Sequence, residues 1–233
     1  MKIDRNAMAV LRFLDQPARR ARFVLQQLMT DAGTIDRGQT AVTLWLDPVC
    51  PFSWNTARWL KAAADEAGFA IDWQLMNLAL LNDGRELPPP QRARMTDPQR
   101  VGRLMAALRE ELGQDAIATA YFAFGEEYFD RSRALGDEIV EHVLRAVGAR
   151  RTTAAAVCDT ELDAVVSRCH QASQDALGET GGSPLITIDG HTAFGPVFTS
   201  VPTADRTLAV FDAVKSLVLT PQFSQLHRPR AHA

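Results

Sequence analysis

The run Ala41-Val42-Thr43-Leu44-Trp45-Leu46-Asp47-Pro48-Val49-Cys50-Pro51-Phe52-Ser53-Trp54 decides how this chain is read. Its first six residues are apolar, partly β-branched and few, and Asp47-Pro48 stops them; this is the pattern of a buried strand ending at a breaker. From Pro51 to Ala67 the pattern turns helical, with Trp54, Ala57, Leu60 and Ala64 on one face and Gly68 as the stop. Phe69-Ala70-Ile71-Asp72-Trp73-Gln74-Leu75 then alternates apolar and polar residues, which predicts a second strand. Strand, helix and strand in so short a span make a βαβ unit with a right-handed crossover.

Outward from this unit the character changes twice. Pro88-Pro89-Pro90 and Asp97-Pro98 mark a loop, and from about Asp97 to Leu177 the residues are nearly all helix formers. Apolar sets such as Val101, Leu104, Met105, Leu108 and Ile139, Val143, Leu144 recur at helical spacing, with Gly113, Gly125, Gly136 and Gly148 as punctuation. After Gly181-Gly182-Ser183 the strand signal returns. Pro184-Leu185-Ile186-Thr187-Ile188 runs into Asp189-Gly190 and then His191-Thr192-Ala193-Phe194, and a two-residue Asp-Gly connector between apolar runs signals a hairpin. Residues 203–219 predict a closing amphipathic helix carrying Leu208, Phe211, Val214 and Leu217. The expected organisation is a helical extension over 1–40, an α/β domain from 41–80 and 181–220, an all-helical insertion over 81–180, and a tail from 221 to 233.

Composition excludes several classes. The chain has 233 residues, 25 Lys plus Arg against 28 Asp plus Glu, and a formal charge of −3, so it is not a strongly basic nucleic-acid binder. No stretch approaches the roughly 20 apolar residues needed to span a bilayer. Three cysteines are too few, and odd in number, for a disulfide-stapled secreted scaffold. Asp4, Arg5, Asp15, Arg19, Arg20 and Arg22 break any apolar segment of a signal peptide, so the expected compartment is the cytoplasm. The helical-period segment 7–32 can pack on its own domain or on a second copy, which leaves a homodimer open.

The chemistry sits at Cys50-Pro51-Phe52-Ser53, between the first strand and the first helix. A helix start offers unpaired backbone N–H groups and a positive dipole end, so a thiol there is expected to ionise more readily and act as a nucleophile. Pro51 suits the first helical turn, where its missing N–H would have no partner. Ser53, three residues on, can donate its hydroxyl to the sulfur. Equally, a free cysteine is commonly a small buried hydrophobe. No metal site is expected, because His142, His170 and His191 show no ligand spacing with the cysteines. Gly181-Gly182-Ser183 precedes a strand and not a helix, so it is no phosphate loop.

These stretches resemble a known family. LWLDPVCPFSWNTARWL, LMNLALLNDGRELPPP and GGSPLITIDGHTAFGPV are together similar to the DsbA-like branch of the thioredoxin fold, and within it to the actinobacterial mycothiol-dependent nitroreductases. The Arg bias (Lys2, Lys61 and Lys215 are the lysines) fits such a host. The resemblance implies an α/β thioredoxin-like fold with an all-helical insertion domain. It implies a cis peptide bond before Pro184, with Ser183 presenting its backbone to a thiol or peptide substrate. It also implies a pocket near Cys50 formed by Pro51, Phe52, Trp54, Asn77, Asn82 and Phe194, no tightly bound cofactor, and mycothiol or a similar low-molecular-weight thiol as co-substrate. Disulfides or nitroaromatic compounds would be the substrates.

The chain departs from the family's usual Cys-Pro-Trp-Cys at Phe52 and Ser53, so no disulfide can form within this turn. Cys158 and Cys169 are the remaining thiols; on one continuous helix they would lie about 16 Å apart, too far to pair. A monothiol site implies that Cys50 forms a mixed disulfide which a second small thiol releases. Two other readings stay open: a thiol transferase or isomerase like the kappa-class glutathione transferases and chromenecarboxylate isomerases, and a redox-inactive binding or chaperone-like module.

Overall fold

The structure, a computed structural model, describes residues 40–229. The helical extension expected over 1–40 lies outside them but for Thr40, as do residues 230–233. Four strands form one sheet: β1 (Val42–Leu46), β2 (Ile71–Leu75), β3 (Leu185–Ile188) and β4 (His191–Phe194), in the order β2-β1-β3-β4. β1 pairs parallel with β2, Val42 opposite Ile71 and Leu46 opposite Leu75, so a crossover must join them. That crossover is helix α1 (Pro51–Ala67), which Gly68 ends in the left-handed conformation. β3 runs antiparallel to β1, and β4 to β3. The hairpin turn is Asp189-Gly190, both at positive φ, as the Asp-Gly connector requires.

Between β2 and β3 the chain is helical: α2 (Leu78–Leu81), α3 (Pro89–Arg94), α4 (Thr96–Leu112), α5 (Ala116–Gly125), α6 (Asp137–Val147) and α7 (Asp163–Leu177), with α8 (Thr207–Val218) after the hairpin. The two proline clusters read as loop are instead helix starts. Pro89 opens α3 and Pro98 lies in the first turn of α4, where a missing N–H costs nothing because no intrahelical acceptor awaits it. The π-turn Glu126–Asp130 that continues α5 had no counterpart in the sequence pattern.

Helix α1 is buried on a wider face than its sequence stripe suggests, because Trp59 and Ala63 are also fully covered. The Trp59 ring meets Phe198 at 5.0 Å and Phe211 at 6.4 Å, and its indole N–H donates to the Thr207 carbonyl. On the other flank Trp54 joins α1 to α5 and the π-turn. Its ring stacks on Phe129 at 5.8 Å, meets Tyr121 edge-on at 5.6 Å, and donates its N–H to Asp130 at 2.9 Å. Such aromatic pairs add about 0.5–1.5 kcal/mol each beyond their area. The α5 backbone presses on this ring at Gly125, where an added Cβ would stand 2.4 Å from Trp54 Cζ3.

Asp47, at the end of β1, is fully buried and joins three segments. Its Oδ1 accepts the Val49 N–H at 2.8 Å, its Oδ2 accepts the Leu78 N–H at 2.6 Å, and its own N–H donates to Ser183 Oγ at 2.8 Å. Burial pushes its pKa up to about 7, against the lowering pull of the two backbone donors. A carboxyl whose folded pKa lies above its unfolded value holds its proton better in the folded chain. Its favourable contribution is therefore complete below about pH 4 and is lost as pH rises through 7.

Two stability measurements follow from this packing. Gly125→Ala gains up to about 1 kcal/mol of helix propensity, but Trp54 is held on every side and cannot yield. The net expectation is a loss of about 1–3 kcal/mol in urea unfolding, and an unchanged or raised midpoint would contradict the contact. For Asp47→Asn, the stability advantage of the unsubstituted chain should shrink between pH 4 and 7, by a few kcal/mol at most. A difference independent of pH would mean that Asp47 titrates normally.

Candidate active site

Cys50 is the N-cap of α1, with extended backbone at φ −81°, ψ 117°, and Pro51 follows at the first helical position. The cap carbonyl accepts the Trp54 N–H at 3.0 Å, and the Cys50 N–H closes the preceding turn on the Asp47 carbonyl at 3.1 Å. Cys50 is only 4% exposed, and its thiol donates to the Ser183 carbonyl at 3.5 Å. The Ser183–Pro184 peptide is cis. Ser53 is fully buried, and its hydroxyl lies 2.6 Å from Ser183 Oγ. Thus three of the expected residues, Cys50, Ser53 and Ser183, meet at one point with Pro184 behind them. Residues 133 and 130 apart in sequence are brought together because β3 pairs with β1.

The expected low thiol pKa is not found: burial pushes Cys50 up from its ordinary value, and the nearby Asp47 charge adds to the rise. The Ser53 N–H, the Ser53 hydroxyl and the Phe52 N–H pull the other way, and together they are outweighed. The helix start acts in the predicted sense, but a sulfur so closely covered loses more in hydration than those donors return. In the free chain the thiol holds its proton, which the Ser183 carbonyl accepts.

The other named residues are placed as follows. Pro51 is exposed and Phe52 half-buried at the start of α1. Trp54 points into the aromatic cluster and not toward the sulfur. Asn77 is buried and N-caps α2, accepting the Ala79 and Leu80 N–H groups while its own amide donates to the Pro98 carbonyl. Asn82 closes α2, donating to the Leu78 carbonyl and to Met95 Sδ. Its bonds hold the α2 turn. Phe194 is 51% exposed at the end of β4, and a Cβ added at Gly182 would stand 3.2 Å from its ring. It therefore flanks the Gly182-Ser183-Pro184 loop. Asn77 also borders a cavity of about 370 Å³ with Leu80, Asp83, Arg92 and Met95.

The remaining thiols stand apart. All three cysteines are free. Cys158 is exposed in the short turn Ala154–Cys158, whereas Cys169 is buried on α7 and accepts from Arg109 at 3.2 Å, so they do not share a helix. His170 accepts the Asn77 N–H, and His142 lies 4.0 Å from Glu127. Among the described residues no group of His, Cys, Asp or Glu could hold a metal ion, and no helix is long and apolar enough to cross a membrane.

Two residues at this site escaped the sequence reading. Asp47 organises the loops around the sulfur, and Tyr121 is fully buried with an unpartnered hydroxyl close enough to feel the charges of Cys50 and Asp47. An acidic residue ending a buried strand three positions before Cys50 was a usable signal. Tyr121 offered none, since it reads as one aromatic among many on α5.

Several known proteins are similar to this chain. A protein from Mycobacterium tuberculosis (strain ATCC 25618 / H37Rv), the uncharacterised protein Rv2286c, is 27% identical over 200 residues, covering 83% of this chain and 84% of that one. Among solved structures, 2-hydroxychromene-2-carboxylate isomerase superposes with a TM-score of 0.53 at 15% identity, over 76% of this chain and 95% of that one. The cytosolic disulfide reductase DsbM of Pseudomonas aeruginosa gives a TM-score of 0.45 at 15% identity, over 76% and 99%. The fold is the DsbA-like thioredoxin fold, with its sheet interrupted by helices. The model of the Rv2466c-like mycothiol-dependent nitroreductases matches residues 49–228, from the residue before Cys50 to the C-terminal tail, and the chain belongs to that family.

Proposed function

We propose that this chain is a cytoplasmic monothiol oxidoreductase that uses Cys50, with mycothiol or a similar small thiol as co-substrate. One observation carries the reading: Cys50 caps α1 with its thiol buried and donating to the Ser183 carbonyl, next to the cis bond before Pro184, at 3.5 Å. Family membership supports the choice of thiol. The same reading assigns 41–80 and 181–220 to the thioredoxin-like domain and 81–180 to the helical insertion.

In the first step Cys50 loses its proton and the thiolate attacks one sulfur of a disulfide. A Cys50 mixed disulfide forms and the other sulfur leaves as a thiolate. A second small thiol then attacks the partner sulfur, releasing a new disulfide and returning Cys50. The raised pKa cuts two ways. It lowers the thiolate fraction, but each thiolate formed is more nucleophilic, and Cys50 is a poorer leaving group in the second step. The donors from Ser53 and Phe52 stabilise charge on the sulfur in both steps. With a nitroaromatic substrate, each two-electron step from nitro to nitroso would consume two thiols, giving one disulfide and one water.

The isomerase-like reading keeps one specific support, a buried protonated thiol beside a serine on a fold shared with 2-hydroxychromene-2-carboxylate isomerase. Mass-resolved alkylation against pH, with mycothiol disulfide in parallel, separates the two. The oxidoreductase should yield one mycothiol adduct mapped to Cys50, released by a second equivalent of thiol, and Cys50→Ser should abolish turnover. Alkylation of Cys50 in the free chain should be half-complete above the pH of an ordinary thiol. An unadducted Cys50 under these conditions would sink the oxidoreductase in favour of the isomerase-like pocket.

A further inference from the structure

A cleft of about 600 Å³ opens between the start of α4 and the turn that follows α5, and its lining includes Asp97, Tyr128, Phe129, Ser132, Arg133 and Leu135. Its two walls are tied to each other, since the Tyr128 hydroxyl donates to Asp97 Oδ2 at 2.8 Å. Both are also tied to the cysteine turn. On one side the Phe129 ring stacks on Trp54 at 5.8 Å, and the Trp54 backbone N–H donates to the Cys50 carbonyl at 3.0 Å. On the other, the Pro98 carbonyl beside Asp97 accepts the Asn77 amide at 2.8 Å, and the neighbouring Leu78 N–H donates to Asp47 Oδ2 at 2.6 Å. Each wall thus reaches the Asp47–Cys50 turn through one intervening element, α1 on one side and the start of α2 on the other. Tyr128 lies near enough to feel the Asp47 charge.

The groups at the rim suit a ring that carries many hydroxyls. Asp97 gives one carboxylate oxygen to Tyr128, and its other oxygen accepts no hydrogen bond among the described residues. Tyr128 and Ser132 supply hydroxyls that can donate or accept. Half-buried Phe129 and Leu135 supply apolar cover for ring carbons. Ser132 stands in the left-handed conformation at φ +52°, which a residue with a side chain adopts only at a cost. Charge selects further. The charged groups that line the cleft are Asp97 and Arg133, and the Arg133 guanidinium is matched by the buried Glu127 at 2.9 Å. A ligand bearing carboxylates would meet Asp97 with no unmatched cation among the lining groups, whereas an uncharged polyol would meet no repulsion.

We infer that this cleft is the subsite for the head of the small-thiol co-substrate, and that it takes a neutral polyhydroxylated ring in preference to a carboxylate-bearing peptide. It would therefore select a sugar-bearing thiol such as mycothiol over a peptide thiol such as glutathione. Asp97 and Ser132 bind ring hydroxyls, and the Tyr128 hydroxyl holds the Asp97 carboxylate in place. Phe129 and Leu135 cover the ring carbons. The thiol arm extends from there along the start of α1 toward Cys50.

The inference rests on the proposed use of a small thiol by Cys50, and its test needs no chemistry at the sulfur. S-methyl mycothiol and S-methylglutathione, which cannot form disulfides, are titrated calorimetrically into the full chain and into its Ser132→Gly and Asp97→Asn variants. Glycine accepts φ +52° freely, so Ser132→Gly removes the hydroxyl and leaves the backbone at ease. Asp97→Asn keeps an oxygen for the Tyr128 hydroxyl and takes away the charge. The sugar-bearing probe should bind about tenfold or more tightly than the peptide probe, and each substitution should weaken it by about three- to tenfold. Asp97→Asn should leave the peptide probe unchanged or tighten it, because a repelling charge is gone. No binding of the sugar-bearing probe, equal or tighter binding of the peptide probe, or an affinity indifferent to both substitutions would overturn the subsite. Mycothiol disulfide tests the functional reading separately: no adduct at Cys50, with the probe affinities ordered as expected, would remove the oxidoreductase and leave the binding site standing.

Discussion

Asp47 holds the site together because its backbone and side chain bond to three segments at the ends of the paired strands. It ends the central strand. One oxygen fixes the turn that delivers Cys50 to the start of α1, and the other fixes the start of α2. Its N–H reaches the Ser183 hydroxyl and so registers the Pro184 loop against the sulfur. A lysine could not replace it, because two backbone N–H groups converge on the carboxylate and an ammonium has no lone pair to accept them. The cost of such a group is desolvation, and Asp47 shows it in a pKa raised to about 7.

The same competition between hydration and local donors decides the state of Cys50. A helix start contributes on the order of a kcal/mol to a neighbouring charge, whereas removing a thiolate from water costs more unless several donors replace the lost hydration. Here the replacements are Ser53 and the first N–H groups of α1, and burial still wins. The thiol is thus kept protonated and covered, which on the proposed monothiol reading suits a site that lacks a resolving cysteine. An exposed low-pKa thiol without a partner in the turn would be open to uncontrolled oxidation.

The aromatic cluster around Trp54 shows how the inserted helices become part of the site's support. Trp54 lies one helical turn beyond Cys50, so whatever locks its ring also locks the start of α1. Phe129, Tyr121 and Asp130 of the insertion do this, together with the close approach at Gly125. The helical block is therefore a brace for the cysteine-bearing helix.

Much of this was legible in the chain. A short apolar run stopped by Asp47-Pro48 marked β1, periodicity marked α1 and β2 because a period of two and one of 3.6 leave different traces, and Asp189-Gly190 marked the hairpin because few other pairs accept positive φ twice. Cys50, Pro51 and Ser53 were legible as chemistry because a helix start has the same unpaired N–H groups in any fold. The two proline clusters misled, since a proline in a first helical turn looks like one in a loop until the following turn is seen to form. What the sequence could not contain was distance and cover. That Ser183 meets Ser53 depends on strand pairing across more than a hundred residues, and that Asp47 binds Leu78 and Tyr121 is buried within reach of the Cys50 charge depends on how the intervening helices fold back. The protonation of Cys50 depends on how completely those segments exclude water. The sequence determined which groups could act; tertiary packing decided which of them are in contact and in what charge state, because hydration is lost only when remote parts of the chain close over a site.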